Sequence, residues 1–314
     1  MKFLVILICL AVNYLWSKHS DRFDDSWISH ISRLADLTFS RFDRNRKLPW
    51  MAPIVSVYVF VLLLLFVLLQ LASDVLFGFA TMLVHICVLL VALDRTQPGK
   101  LVSEFLRRWL HGDSQAILNF LREKGLNTEE RDFQSDSELL NFFKEQVIYR
   151  CFENIFVMVF SYLLAGAFGV LFAYASYRLR SIYEENHHIE RVKLIDKMIL
   201  VLEWFPVRLL ALTFSLVGNF VLCFDKLQPR LVDFNQRSNS ADLYEYAVCA
   251  ASEMAVFNSK IDERSLVDLD PAVDESECVG HAGDLEAVQA LLERSQAIWL
   301  AGLALLTLVN LQIF

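Results

Sequence analysis

Long stretches without a single charge constrain this chain more than any other feature. Residues 51–73 (MAPIVSVYVFVLLLLFVLLQLAS) hold none, and residues 75–93 hold only His85. Residues 154–177 are uncharged, residues 206–224 carry only Arg208, and residues 297–314 run apolar to the last position. A helix needs about 20 apolar residues to cross a bilayer, so these five runs favour membrane helices over the buried core helices of a soluble protein. Composition agrees. Apolar residues make up 55% of the 314 and charged residues 21%, and mean hydropathy is +0.41, whereas a soluble domain is nearer a quarter charged. The expected fold is all-α, a polytopic membrane helical bundle with cytoplasmic helical insertions.

At the N-terminus, Lys2 precedes an apolar stretch in the manner of a signal peptide. No small-x-small cleavage site follows, however, and Trp16 with Lys18 reads as an interfacial anchor, so a retained short span is expected. The net charge of −8 argues against nucleic acid as a partner, because phosphate binding needs a basic surface. The six cysteines, Cys9, Cys87, Cys151, Cys223, Cys249 and Cys278, form no CxxC. They read as small apolar residues rather than a disulfide framework or a zinc site.

Lysine and arginine bias sets orientation. Residues 17–50 carry seven basic side chains, ending in Arg44-Asn45-Arg46-Lys47 just before the 51–73 run, which places them in the cytoplasm and the N-terminus outside. The runs 51–73 and 75–93 then form a hairpin, and residues 94–153 return to the cytoplasm. A single crossing by residues 154–177 would put residues 178–197 outside, yet that segment holds Arg178, Arg180, Arg191, Lys193 and Lys197. Ala165-Gly166-Ala167-Phe168-Gly169 lies at the centre of the run, and glycine weakens a helix there. Either the run crosses, glycine being ordinary in spanning helices, or two half-helices dip in and return on one side, with the freed backbone buried in protein. The same two readings stay open for 206–224, which begins with a proline.

The chain divides into N-terminal spans (1–93, with 17–50 amphipathic and cytoplasmic), a cytoplasmic helical segment (94–153), a membrane core (154–224), an acidic helical loop (225–295) and a last span (296–314). Within 26–42, Trp27, Ile28, Ile31, Leu34, Ala35 and Leu37 recur at helical spacing. That pattern suits a helix in the headgroup plane or one packed on a cytoplasmic neighbour. Three helices are predicted in 94–153. The first turns Leu101, Phe105, Leu106, Trp109 and Leu110 inward. The second is capped by Asp113 or Ser114 and stopped at Gly125. The third is capped by Ser137, with Leu139, Leu140, Phe142, Phe143 and Val147 inward. Residues 178–197 have helical period, with Ile182, Ile189, Val192 and Ile195 on one side. In the acidic loop, 241–257 reads as a helix, 265–283 as a mobile link with Pro271, and 284–295 as a helix leading into the last span.

No complete catalytic site is present: no Gly-x-Ser-x-Gly, no His-Glu-x-x-His and no phosphate-cradling glycine loop occurs. Neither a cofactor nor a metal is expected. His187 and His188 are adjacent, so on a helix they diverge by about 100° and read as a solvated face. Ionisable groups near membrane level are the sharper signal, because charge there is costly. Glu153, Asn154, Asp196, Glu203 and Arg208 are therefore a candidate polar pocket or structural cluster. Arg208 either pairs inside the bundle, faces a small-molecule cavity, or snorkels to the headgroups beside Trp204. His85 reads as a neutral, hydrogen-bonded packing residue.

Residues 194–220 (LIDKMILVLEWFPVRLLALTFSLVGNF) resemble the motif of the AmpE family, through Asp196, Glu203, Trp204, Pro206, Val207, Arg208 and Leu209. Residues 156–179 are similar to that family's aromatic, glycine-broken run, and the order of apolar runs extends the likeness loosely along nearly the whole chain. The resemblance implies a non-enzymatic signalling or accessory protein of a bacterial inner membrane, in the regulation of chromosomal β-lactamase induction and cell-wall recycling. A cytosolic muropeptide amidase or another membrane protein is the implied partner, beside the lipid bilayer itself. The chain is also similar to CobD-type enzymes of cobalamin synthesis. Their Pro-Ala-Arg-Leu resembles residues 206–209, but their Glu-Asn-Thr-x-Asp-Gly is met only by Glu153-Asn154. The alternative function is accordingly a membrane enzyme or small-ligand binder related to CobD-type adenosylcobinamide-phosphate synthase.

Overall fold

The structure is a computed structural model, and it describes residues 2–16, 26–42, 51–73, 78–93, 98–109, 114–124, 126, 133, 135–230, 239–265 and 275–313. The expectations resting on Lys18, Arg44 to Lys47, Leu110, Asp113, Gly125 and Pro271 fall outside these residues. Every regular element among the described residues is helical, as the uncharged runs require. In chain order they are α1 (Lys2–Trp16), α2 (Ser26–Phe42), α3 (Ala52–Ser73), α4 (Phe79–Ala92), α5 (Pro98–Trp109), α6 (Ser114–Glu123) and α7 (Asp136–Cys151). A π-helical turn (Phe152–Val157) leads into α8 (Met158–Ala165), α9 (Ala167–Glu185), α10 (Ile189–Val217) and α11 (Phe220–Leu227). A 3-10 turn (Gln228–Arg230), α12 (Asn239–Ser265) and α13 (Glu275–Ile313) complete the chain.

Among the described residues, three helices are long and apolar enough to cross a membrane: Ala52–Ala72, Ser137–Ala165 and Ile189–Val217. Lys2–Asn13 and Phe79–Ala92 are shorter apolar helices. Only 28% of the most apolar window of Ala52–Ala72 is buried by protein. Val55, Val59, Leu63, Leu64, Phe66 and Leu71 all point outward. Each such side chain costs about 1.5–3 kcal/mol in water. Six of them approach the whole stability of a typical domain, about 5–15 kcal/mol, so this helix needs an apolar solvent.

The chain forms two compact units, Met1–Arg95 with Glu153–Pro206, and Thr96–Phe152 with Val207–Phe314. In the first, α1 packs on α4, α2 on α3 and α9, and α9 on α3 and α4. The 154–177 run does not form one straight helix. Gly166 adopts φ 63, ψ −145, a region open essentially to glycine alone, and the chain folds back there. A Cβ placed on Gly169 would lie 2.3 Å from the Ser161 carbonyl oxygen, although eight residues of continuous helix would separate the two by about 12 Å. α8 and α9 are thus a close-packed hairpin, and glycine at 169 is what lets the backbones approach. α2 has the expected limits, but its buried side is Ile28 and Ser32, while Leu34 and Leu37 are 62% and 61% exposed. Of the apolar stripe, Ile28 therefore packs on protein while Leu34 and Leu37 face outward, the side that a helix in the headgroup plane turns to lipid.

A second reversal ends α9 at Asn186–His188, where His187 takes φ 57. His187 and His188 are exposed, but in a turn rather than on a helix face, and Ile189, beyond that turn, is exposed instead of sharing a side with Ile195. α10 then begins at Ile189 and carries Pro206 within it. Proline is therefore not where the 206–224 run starts a helix. The break falls later, at Gly218-Asn219.

In the second unit α5 packs on α6, α7 and α13, and α12 packs on α7, α11 and α13. The expected inward residues Phe105, Leu139, Phe143 and Val147 are buried, as are Ile117 and Phe120 of α6, and the Phe105 and Phe143 rings stack at 3.8 Å. The cap of α7 is Ser135, not Ser137: its hydroxyl accepts from the Glu138 amide at 3.3 Å. The Ser-x-x-Glu spacing of a capping box begins at 135. A Cβ on Gly218 would lie 2.1 Å from the Ala250 carbonyl oxygen, and the Asn219 amide donates to that oxygen at 3.0 Å. This contact breaks the apolar run into α10 and α11. α13 starts at Glu275, inside the stretch expected as a link, and continues without interruption to Ile313.

Candidate functional site

The five candidate residues divide between the units. In the first, Asp196 and Glu203 stand seven residues apart on α10, two turns along one face. α9 presents Arg180 and Tyr177 to them, three residues apart. Arg180 Nε lies 2.7 Å from Asp196 Oδ1, and the Tyr177 hydroxyl donates to Glu203 Oε1 at 2.6 Å. The register follows from the reversal at 186–188, which lays α9 and α10 antiparallel. The two pairs differ in environment. Arg180 and Asp196 are partly solvated, where an ion pair contributes little. Glu203 is only 2% exposed, so the hydrogen bond from Tyr177 offsets part of the desolvation of its carboxyl.

Glu153 and Asn154 sit, half-buried, in the π-helical turn. Such turns insert an extra residue per turn into a helix and re-aim its side chains. Nothing in the 3.6-residue period of the sequence marks this one. Elsewhere in the same unit, His85 Nδ1 lies 3.0 Å from the Tyr162 hydroxyl and the rings meet edge to face at 5.7 Å, as a packing histidine would. Lys2 Nζ donates to the Leu163 carbonyl at 3.0 Å, which places a cation on the C-terminal carbonyls of α8.

Arg208 belongs to the second unit. It is half-buried, and its Nη2 donates to the Arg230 carbonyl at 3.1 Å. Arg230 in turn donates from Nη1 to Asp242 Oδ1 at 3.0 Å and to Glu245 Oε2 at 2.7 Å. Lys226 Nζ reaches the other Glu245 oxygen at 3.0 Å. One chain of charges therefore joins α10, the 3-10 turn, α12 and α11. The Arg230 hydrogen bond, with help from Lys226, holds the Glu245 carboxyl below its ordinary value of 4.5, and Glu245 raises Arg230 in return. Burial pushes the Tyr246 hydroxyl up. Nothing in the sequence singles out Lys226, Arg230, Asp242 and Glu245. The spacings Lys226–Arg230 and Asp242–Glu245 are helix-face spacings, but which face meets which depends on the Gly218 contact.

Among the described residues no group of three or more histidine, cysteine or acidic side chains is placed to hold a metal. Cys9, Cys151 and Cys223 are buried and free, Cys249 is half-buried and free, and Cys87 is exposed and free.

No curated protein and no solved structure matches this chain. The family match stops at residue 239, short of the likeness expected along nearly the whole chain, so α12 beyond its first residue and all of α13 lie outside it. The profile described as Regulatory signalling modulator protein AmpE matches residues 1–239, well over half of the 314 residues, and the chain belongs to that family.

Proposed function

We propose that this protein is a multi-pass inner-membrane signalling modulator that acts in chromosomal β-lactamase induction and cell-wall recycling, through contact with a cytosolic muropeptide amidase or another membrane protein. Membership of a regulatory signalling family carries the reading. The use of the membrane-level polar groups supports it: Arg208 donates to the Arg230 carbonyl and Glu203 accepts from Tyr177, interactions that tie separate segments of the chain together. Residues 94–153 and 225–295 supply the charged, helical surfaces for a partner. Residues 17–50 and 178–197 lie on the cytoplasmic side together. What supports this is the fold-back at Gly166 and the contact that brings α2 to the later segment, Asp36–Arg191 at 2.7 Å.

The test is inducible β-lactamase activity in a host lacking its own copy of the gene. Complementation with the intact chain changes the induction ratio. Arg208→Met retains that effect while lowering thermal stability by about 1–2 kcal/mol, the cost of losing a charged hydrogen bond. Unchanged induction with and without the gene contradicts the reading.

A second reading, a small-ligand binder or ligase related to the CobD-type enzymes, rests on Glu153-Asn154 lying in a π-helical turn, a geometry frequent at functional sites. It predicts that Glu153→Gln abolishes rescue of a cobalamin-synthesis mutant by this chain. Absence of any rescue by the intact chain removes it.

A further inference from the structure

Along the part of α10 within the first unit, Ile189, Lys193, Lys197, Val201 and Phe205 recur every fourth residue and are all exposed. Residues four apart on a helix form one ridge, about 6 Å per step. The ridge changes character abruptly: two lysines, then Val201, 74% exposed, and Phe205, 51% exposed. An outward apolar half following a basic half is the profile of a helix leaving the headgroup layer for hydrocarbon. Asp196 does not neutralise the lysines, because it is held by Arg180 at 2.7 Å. Lys193 has a loose partner in Glu190 at 3.3 Å, both more than half exposed, and Lys197 makes no ion pair among the described residues.

We infer that this ridge is a binding edge for an anionic phospholipid, with the phosphate between Lys193 and Lys197 and an acyl chain along Val201 and Phe205. Charge complementarity and continuity with the apolar face select a lipid over a soluble anion, which would gain nothing from Val201 and Phe205. Glu190 competes with the phosphate for Lys193.

Native mass spectrometry of the full chain, titrated with phosphatidylglycerol and with phosphatidylcholine, tests the edge. The intact protein prefers phosphatidylglycerol for its tightest-bound lipid. Lys193→Gln with Lys197→Gln reduces that preference by about fivefold per lysine, and Glu190→Gln increases it. These side chains are exposed, so folding is preserved, and the apolar control Val201→Ala weakens both lipids alike. Equal binding of the two lipids by the intact protein, as expected if the ridge docks an acidic helix of another protein, overturns the proposal. So does a preference that survives loss of both lysines.

Discussion

Tyr177 and Glu203 show how a membrane-level charge is tolerated. The carboxyl is buried and takes the phenol hydrogen at 2.6 Å. Tyr177→Phe removes that donor from a buried acceptor and lowers stability by about 1–2 kcal/mol, read as a shift of the thermal midpoint in detergent, whereas Arg180→Gln at the partly solvated pair shifts it by less than half as much. Glu245 carries the pH dependence. Its carboxyl is held low by Arg230 and Lys226, so the unfolded chain binds the proton more readily. The stabilisation is therefore complete above the ordinary value of 4.5 and is lost as pH falls through the lower folded value. The difference in midpoint between intact protein and Glu245→Gln is expected to be constant from pH 7 to about 5 and to shrink below that. A difference that grows on acidification contradicts the assignment. Glu203 and Arg208 were legible in the sequence as expensive charges. Their partners were not, because Tyr177 and Arg230 are reached only through reversals of the chain.

At the level of elements, two glycines decide where uncharged runs stop being single helices. A Cβ at 169 meets the Ser161 carbonyl, and backbone cannot swing aside as a side chain can. Gly169→Ala is expected to destabilise by about 1–3 kcal/mol, the usual cost of overpacking. Gly302 lies in α13, where a Cβ would find nothing within 4 Å, and Gly302→Ala is expected to be neutral or to stabilise by up to about 1 kcal/mol. Equal effects in the two variants, measured by thermal unfolding in one detergent, would remove the close approach from the account. The runs themselves announced helices, and Ala165 to Gly169 announced a weakness. What composition could not specify was whether a glycine is a gap in a spanning helix or the site of a reversal, since both leave the same letters. Ser135 and Ser137 pose the same difficulty on a smaller scale: both precede the body of α7, and only the Glu138 amide chooses between them.

For the molecule as a whole, the apolar outer face of α3 demands lipid, and the arrangement of basic segments then follows from the path of the backbone. A straight crossing at 154–177 would set five basic residues opposite the basic 17–50 segment. The reversal at Gly166 and the Asp36–Arg191 pair bring α2 and the start of α10 together within the first unit, which is what the proposed shared cytoplasmic side requires. The helical class was readable from the uncharged runs, because hydrocarbon accepts only satisfied helices or closed barrels. The later crossings were not, because the count of apolar residues says nothing about direction of return. Accessibility of single cysteines tests this most directly. In a background with the six native cysteines replaced, His30→Cys on α2 and Ser181→Cys on α9, both exposed positions, are treated with a membrane-impermeant maleimide. Both are expected to stay unlabelled in intact spheroplasts and to label together after permeabilisation; labelling of Ser181→Cys in intact spheroplasts, with His30→Cys silent, contradicts the shared side.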